Sequence, residues 1–413
     1  MSSGVIIFLL TYLGVALGSV PGLALDRTGF ALLGALAMVL WRVETLETAF
    51  AAVHLPTILL LYGLMIVSAQ LRLGGFYTEA ARRIGRFTAR PRFFLGALML
   101  TAAALSALLA NDIVCLAFTP VLCVALRRGG LRPAPQLIGL AAASNIGSAA
   151  TIIGNPQNML IGQLGGLDFG RFLAWCLPPT VISLAGAWLL LLALYRGRWR
   201  LEVTSAGASV AAPPDEPSWP EFQRWQSVKG LLAVAAVVGL FFTPIPREVS
   251  ALAVAGVLLV SRRMHTRAVL GLVDWHLITL FCGLFMVIHG LELTGAPERA
   301  LAALRGWGVD PAHPYWLTGA AALLSNLVSN VPATLLLVKF LHPAQPEAWY
   351  VLALAATFAG NLITIGSIAN LIVFEQARAH GVRIGFWEHA RAGIPITAFS
   401  LLATLGWIAL RGG

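Results

Sequence analysis

The sequence predicts an all-α polytopic membrane protein made of two inverted repeats, each of five transmembrane spans with a re-entrant helical hairpin and a broken helix. Three observations predict it. Hydrophobic residues make up 58% of the 413 and charged residues only 11%, about half the charge of an ordinary soluble chain. Apolar runs of roughly 17 to 25 residues recur from end to end, the length a helix needs to cross a hydrocarbon core of about 30 Å, and lipid forces such runs to be helical. The second half of the chain repeats the order of the first.

Taken in order, the first half reads as spans over 4–20, 28–41 and 55–73, a re-entrant pair within 93–126, a broken span over 134–164 and a last span over 172–195. No Lys or Arg precedes the first run and no small-x-small cleavage site follows it, so it reads as a span and not as a cleaved signal. A second series runs 228–244, 247–261, 275–294, a re-entrant pair within 316–341, a broken span over 349–377, and 392–410. Between them RGRWRLEVTSAGASVAAPPDEPSWPEFQRW, starting at Arg196, is polar and Pro-rich and reads as a linker. The expected organisation is a first repeat at 1–195, a linker at 196–227 and a second repeat at 228–413.

The halves match in detail. YGLMIVSAQLRLGG from Tyr62 and CGLFMVIHGLELTG from Cys282 share six of fourteen residues at an offset of 220. Asn111 and Asn330 correspond at 219, Gly154 and Gly366 at 212, and Pro179 and Pro395 at 216. Matches in one order at nearly one offset mark an internal repeat. With each hairpin entering and leaving by the same face, each half crosses five times, and an odd number inverts the second half. The face holding Arg72 to Arg92, Arg127 to Arg132, the linker, Arg262 to Arg267 and Arg378 to Arg391 then collects most of the 28 Lys and Arg. That face is expected to be cytoplasmic, with the linker on it and both termini on the outer, periplasmic side of the inner membrane.

The net charge of +10 has this topological meaning; no soluble basic domain is there to bind nucleic acid. Cys115, Cys123, Cys176 and Cys282 lie in apolar stretches without metal-ligand spacing and read as packing residues. The chain has no His-Glu-x-x-His motif, no plausible Ser-His pairing at the broken helices and no Gly-x-x-x-x-Gly-Lys-[Ser/Thr] loop. An enzyme and a self-contained ATP pump are therefore disfavoured, and a channel would not require two inverted halves with matching breaks. The expected partners are the bilayer and a small-ion substrate; a homodimer and a separate ATPase stay open.

Four apolar segments are interrupted by small and polar residues, the same two in each half. The hairpin tips are LSALLANDIVCLAFTP from Leu105 and LSNLVSNVPATLLL from Leu324; the broken spans are SNIGSAATIIGNPQNMLIG from Ser144 and AGNLITIGSIANLIVF from Ala359. Backbone exposed at that depth is tolerable only where it lines a protein-enclosed or water-filled cavity. Half-helix N-termini offer free N–H groups to an anion, unwound carbonyls can hold Na⁺, and an Asn amide can donate or accept. These segments supply the candidate site: Asn111, Asp112, Asn145, Gly147, Thr151, Gly154, Asn155, Asn158, Ser329, Asn330, Asn361, Thr364, Gly366 and Asn370. The alternative for any one of them is close helix packing. Asp112, flanked by LSALLAN and IVCLAFTP, costs roughly 2.5 to 3.5 kcal/mol at such depth; it reads as a coupling carboxylate or as a cap for the returning half-helix. His289 and Glu292 read as interfacial or paired groups, and the Arg82 to Arg92 cluster as a cytoplasmic anchor.

At these residues the chain resembles the arsenite-efflux and sodium/proton-antiporter permeases of the ion transporter superfamily, which also includes divalent-anion/sodium symporters with citrate-transporter-like domains. LLANDIVCLAFTPV from Leu108 is similar to the Asn-Asp hairpin tip of the arsenite permeases, and TIIGNPQN from Thr151 to the first broken span of the wider group. SNVPATLLL from Ser329 and NLITIGSIANLIV from Asn361 resemble the second-half counterparts. The resemblance implies a secondary active transporter holding substrate and coupling ion between the tips and broken helices, at Asn111, Asp112, Asn145, Asn158, Ser329, Asn330, Asn361 and Asn370, with Na⁺ or H⁺ as coupling ion and a Na⁺ site near Asn111, Asp112, Asn330 and Asn370. The symporters carry Ser-Asn-Thr at both tips, whereas this chain has Ala110-Asn111-Asp112 and Ser329-Asn330-Val331. The expected substrate is accordingly a small inorganic anion or oxyacid such as arsenite; Na⁺/H⁺ antiport and dicarboxylate/Na⁺ symport are the alternatives.

Overall fold

The computed structural model describes residues 2–18, 20, 22–200, 220–342 and 345–411. Among the described residues the chain is helical throughout, its β structure being one isolated bridge between Leu131 and Arg200. Most of the expected linker, 201–219, lies outside the described residues.

The first half contains α1 (Ser3–Leu17), α2 (Arg27–Leu40), α3 (Leu46–Ala51), α4 (Leu55–Leu73) and α5 (Phe76–Gly85). The hairpin follows as α6 (Pro91–Leu108) and α7 (Asn111–Arg128), the broken span as α8 (Pro133–Ser148) and α9 (Pro156–Leu164), and α10 (Phe169–Leu194) closes the half. The second half contains α11 (Arg224–Leu240), α12 (Arg247–Leu259), α13 (Thr266–Leu270), α14 (Trp275–Leu293) and α15 (Ala296–Gly306). Its hairpin is α16 (Pro314–Val328) and α17 (Asn330–Leu337), its broken span α18 (Pro346–Ala359) and α19 (Ile368–Ala379), and α20 (Phe386–Arg411) ends it. Helices α4, α6, α10, α14 and α20 are each long and apolar enough to cross a bilayer.

Local chemistry sets many of these boundaries. Proline stands in the first turn of α4, α6, α8, α9, α15, α16 and α18, where its missing N–H costs nothing. Asp26 caps α2 through Gly29 N–H, Thr45 and Thr48 form a capping box for α3, and Asp274 caps α14 through Leu277 N–H. Gly75 and Gly295, 220 residues apart, take φ of 71° and 65° and turn the chain from α4 into α5 and from α14 into α15. A side chain at either would be strained in that left-handed conformation.

Four short helices fall where the sequence suggested connections. Helices α3 and α13 begin 220 residues apart, as do α5 and α15. Each is too short or too polar to register as an apolar run; α5 carries Arg82 and Arg83 beside Glu79, which pairs with Arg83 at 2.7 Å. Helix α11 begins four residues before the expected start of the second repeat, and α20 begins at Phe386 rather than 392, its first turns disguised by Glu388, His389 and Arg391.

Packing crosses between the halves in matched pairs. Helix α4 lies on α12, and α14 lies on α2. A Cβ on Gly63 would come within 2.9 Å of the backbone of Ala251, and one on Gly283 within 2.9 Å of the backbone of Ala31. These are one contact made twice, since both partners are displaced by 220 residues. In the same manner α7 packs on α19 and α17 on α9, while α10 and α20 pack on each other. Small residues at such crossings let backbones approach, which is how helices associate where lipid removes the hydrophobic drive.

Candidate functional site

The two hairpin tips and the two helix breaks meet. In the first hairpin Leu109 and Ala110 leave the helical conformation; in the second the break is the single residue Ser329, held at φ 75° and ψ 160°. On each tip the returning helix starts with an asparagine, Asn111 on α7 and Asn330 on α17, and neither helix has a side-chain cap. Ala110, not Asn111 or Asp112, occupies the capping position of α7. Both tips reach the breaks: Asn111 N–H donates to the Gly154 carbonyl at 3.3 Å, and the Asn330 amide donates to the carbonyls of Gly366 at 2.8 Å and Ala356 at 3.2 Å.

The breaks are built alike. Asn155 caps α9 by accepting from Asn158 N–H at 2.8 Å, and Ser367 caps α19 by accepting from Ala369 N–H at 3.2 Å. The Asn158 amide donates to the carbonyls of Ser148 at 3.3 Å and Thr151 at 3.0 Å. The Asn370 amide donates to those of Gly360 at 2.8 Å and Ile363 at 3.2 Å. In both cases the acceptors lie ten and seven residues earlier. An unwound turn strips carbonyls of their helical donors at a depth where water is scarce, and the asparagine restores them.

Two further bonds tie one break to the other. Asn155 Nδ2 donates to Thr357 Oγ1 at 3.3 Å, and Ser367 Oγ donates to Asn145 Oδ1 at 2.9 Å. At the 212-residue offset Asn155 corresponds to Ser367 and Thr357 to Asn145, so these too are one contact made twice. Sequence reasoning named Asn145 and Asn155 but missed Thr357 and Ser367, which the offset alone would have supplied. It also missed Asn326 on α16, whose amide donates to the Ala359 carbonyl at 3.0 Å.

Asn145 is the hub of the buried network. Its Nδ2 donates to Asn361 Oδ1 at 2.9 Å and Asn370 Oδ1 at 3.2 Å, and its Oδ1 accepts from Asn111 Nδ2 at 3.3 Å as well as from Ser367. The orientations follow in sequence. Asn370 spends its hydrogens on two backbone carbonyls and must turn its oxygen to Asn145; Asn145 therefore presents its NH₂ to Asn361 and its oxygen to Asn111. Of the side chains bonded to Asn145, two keep a buried unpaired atom, Asn111 Oδ1 as an acceptor and Asn361 Nδ2 as a donor; beyond them Asn158 Oδ1 and Asn326 Oδ1 are also unpaired acceptors.

The remaining predicted residues have separate places. The Thr151 hydroxyl donates to the Ala107 carbonyl, and Thr364 is half-buried at the start of a 3₁₀ turn, Thr364–Gly366. A Cβ on Gly147 would fall 2.3 Å from Ala103 Cα, one on Gly154 2.2 Å from the Ser148 carbonyl, and one on Gly366 2.6 Å from Asn326 Oδ1. These three glycines permit close approach. Asp112, next to Asn111 in the chain, lines a cavity of about 380 Å³ with Arg72, Asp274, Pro156, Met159 and Leu61. Of the four residues expected around Na⁺, Asn370 has both amide atoms engaged within the protein, whereas Asn111 Oδ1 is unpaired. No group of three or more His, Cys, Asp or Glu suited to a metal occurs among the described residues. His289 pairs with Glu44 at 2.7 Å and Glu292 with Lys339 at 2.7 Å, away from the breaks. Cys115, Cys123 and Cys176 are buried, Cys282 half-buried, and all four are free thiols.

The citrate transporter family profile matches residues 6–359. The chain belongs to the citrate transporter family. Relatives match over most of their length: inner membrane protein YbiR of Escherichia coli is 32% identical over 87% of this chain and 88% of its own. The silicon efflux transporter LSI3 of rice, Oryza sativa, is 29% identical over 92% and 91%. The fold is similar to the crystal structure of the YdaH transporter of Alcanivorax borkumensis, with a TM-score of 0.60 over 99% of this chain and 97% of that one at 14% identity. With its apolar helices, this member of the citrate transporter family is an integral membrane transporter and not an enzyme.

Proposed function

We propose that the protein is a secondary active transporter for a small inorganic oxyacid, of the kind arsenite and dissolved silicon form in neutral water, coupled to H⁺ or Na⁺ through Asp112. One observation carries the reading: the unpaired acceptor Asn111 Oδ1 and the unpaired donor Asn361 Nδ2, both bonded through their other amide atoms to Asn145. A neutral oxyacid carries O–H groups to donate and oxygens to accept, and so complements both atoms. A fully ionised oxyanion leaves the acceptor unmet and the network offers it no cation, which is costly for a buried charge. The rice relative's name, silicon efflux transporter, supports a substrate of this class.

The reading rests on an inverted pair of five-span repeats, 1–195 and 228–413, joined by a cytoplasmic linker at 196–227, with both termini periplasmic. Its support is the set of contacts made twice: Gly63 on Ala251 and Gly283 on Ala31, Asn155 to Thr357 and Ser367 to Asn145. The cavity at Asp112 is lined also by Arg72 and Asp274, and with the arginine-rich face taken as cytoplasmic this supports an inward-facing reading.

Proteoliposomes loaded with arsenite or silicic acid, and in parallel phosphate, citrate and a dicarboxylate, test it when crossed against imposed H⁺ and Na⁺ gradients. Saturable, gradient-driven flux of the neutral oxyacids is expected. Citrate transport with no oxyacid flux would replace this substrate class by the one in the family's name.

A further inference from the structure

Helices α10 and α20 are both 26 residues long, about 39 Å at 1.5 Å per residue, and outreach a hydrocarbon core of about 30 Å. Helices of that length can reach the headgroup layer. Where the last turn of α10 meets the first turn of α20, a cavity of about 230 Å³ is walled by Arg132, Arg198, Arg391, Glu388, Tyr195 and Trp387. Room for about seven water-sized groups exceeds the five heavy atoms of a phosphate.

Charge in the cavity is unbalanced. Glu388 is paired with Arg132 at 2.9 Å, and the Arg132 guanidinium sits 5.8 Å above the buried ring of Tyr195, which fixes both. Arg198 and Arg391 are exposed and have no ion pair among the described residues. Two planar cations thus converge on one concavity, a geometry suited to phosphate oxygens. The rim is apolar on the bilayer side: Trp387 is 75% exposed, with Leu194 and Phe386 also exposed at the ends of the same two helices. An indole held at the boundary between acyl chain and headgroup is the expected neighbour of a lipid, not of a soluble anion.

We propose that this cavity binds the headgroup of an anionic phospholipid, its phosphodiester between Arg198 and Arg391 and its acyl chains along the exposed faces of α10 and α20. The site is on the arginine-rich face, where anionic lipid and basic pockets between helices meet. It shares no residue with the amide network or with the cavity at Asp112.

The test is titration of delipidated protein in neutral detergent, read by native mass spectrometry, with phosphatidylglycerol, phosphatidylcholine and sn-glycerol 3-phosphate. Wild type and an Arg262→Ala/Arg263→Ala control, altered on the same face outside the cavity, should bind phosphatidylglycerol in preference to phosphatidylcholine. An Arg198→Ala/Arg391→Ala variant should bind it about thirtyfold more weakly, the effect of removing two membrane-proximal cations. Arg198→Lys/Arg391→Lys retains the charge and should recover most of that loss, which keeps the test valid if the alanine variant elutes misfolded. Equal phosphatidylglycerol binding by wild type and the alanine variant, or equal binding of both lipids by wild type, overturns the proposal. Displacement of bound phosphatidylglycerol by glycerol phosphate overturns it as well, because the site would then be one for soluble anions.

Discussion

Asn145, Asn370 and Ser367 have their side-chain donors and acceptors engaged within the protein, so they fix geometry; on the proposed function Asn111 and Asn361 each offer their unpaired atom to the substrate. Asn361→Asp keeps the oxygen that Asn145 needs and replaces the spare donor by an acceptor. Oxyacid flux at subsaturating concentration should fall about five- to hundredfold, the range for one unmet buried hydrogen bond, with the elution profile unchanged. Normal flux in this variant would separate Asn361 from the substrate. Ser329 presents a different residue-scale question. Its φ of 75° with ψ of 160° is a conformation that favours glycine, and such strain costs about 1 to 3 kcal/mol. Ser329→Gly should raise the thermal midpoint, whereas Ser329→Ala, which keeps the strain and loses only the hydroxyl, should not. A midpoint lowered by the glycine would mean that the surrounding contacts favour this backbone without strain.

Each broken helix is a device for opening backbone inside a membrane while keeping it hydrogen-bonded, and its parts are a glycine, a cap and an amide. Gly154 has no room for a methyl group, a Cβ there lying 2.2 Å from the Ser148 carbonyl, while nothing comes within 4 Å of one on Gly256 in α12. Gly154→Ala should abolish monodisperse protein in fluorescence-detected size exclusion. Gly256→Ala should leave the yield equal or higher, as alanine is about 0.8 to 1 kcal/mol better in a helix. Comparable yields from both would remove the break's steric argument. Elements of this kind were readable in the sequence because lipid leaves few ways to satisfy a backbone: apolar length gave the long helices, and the small and polar interruptions repeated in both halves, Gly154 matching Gly366, gave both breaks. Helices α3, α5, α13 and α15 escaped because they are short or amphipathic and carry no apolar run. The cross-half bonds of Thr357 and Ser367 escaped for another reason, since hydroxyls are common in membrane helices and only their partners make these two distinctive.

At the scale of the whole molecule the two halves are alike in packing but unlike in charge. A cysteine replacing exposed Phe222, ahead of α11, is expected to react with impermeant reagent only from the cytoplasm, and one replacing exposed Trp307, after α15, only from outside; modification of both from one side would break the inverted arrangement. Asp112 is where the halves differ most. Its counterpart is Val331, it makes no cap for α7, and its carboxylate faces a cavity with Arg72 and Asp274 while the amide network holds no charge at all. On the proposed function, substrate recognition and ion coupling fall to different side chains, and a change at Asp112 should uncouple them. Asp112→Asn keeps the shape and removes the charge that would hold Na⁺ or exchange H⁺. The variant should still exchange substrate across proteoliposome membranes at equal concentrations. It should fail to concentrate substrate when a H⁺ or Na⁺ gradient is imposed. Gradient-driven accumulation at the wild-type level, with unchanged dependence on pH and Na⁺, would leave Asp112 without a part in coupling and return the question to the remaining charges of its cavity, Arg72 and Asp274.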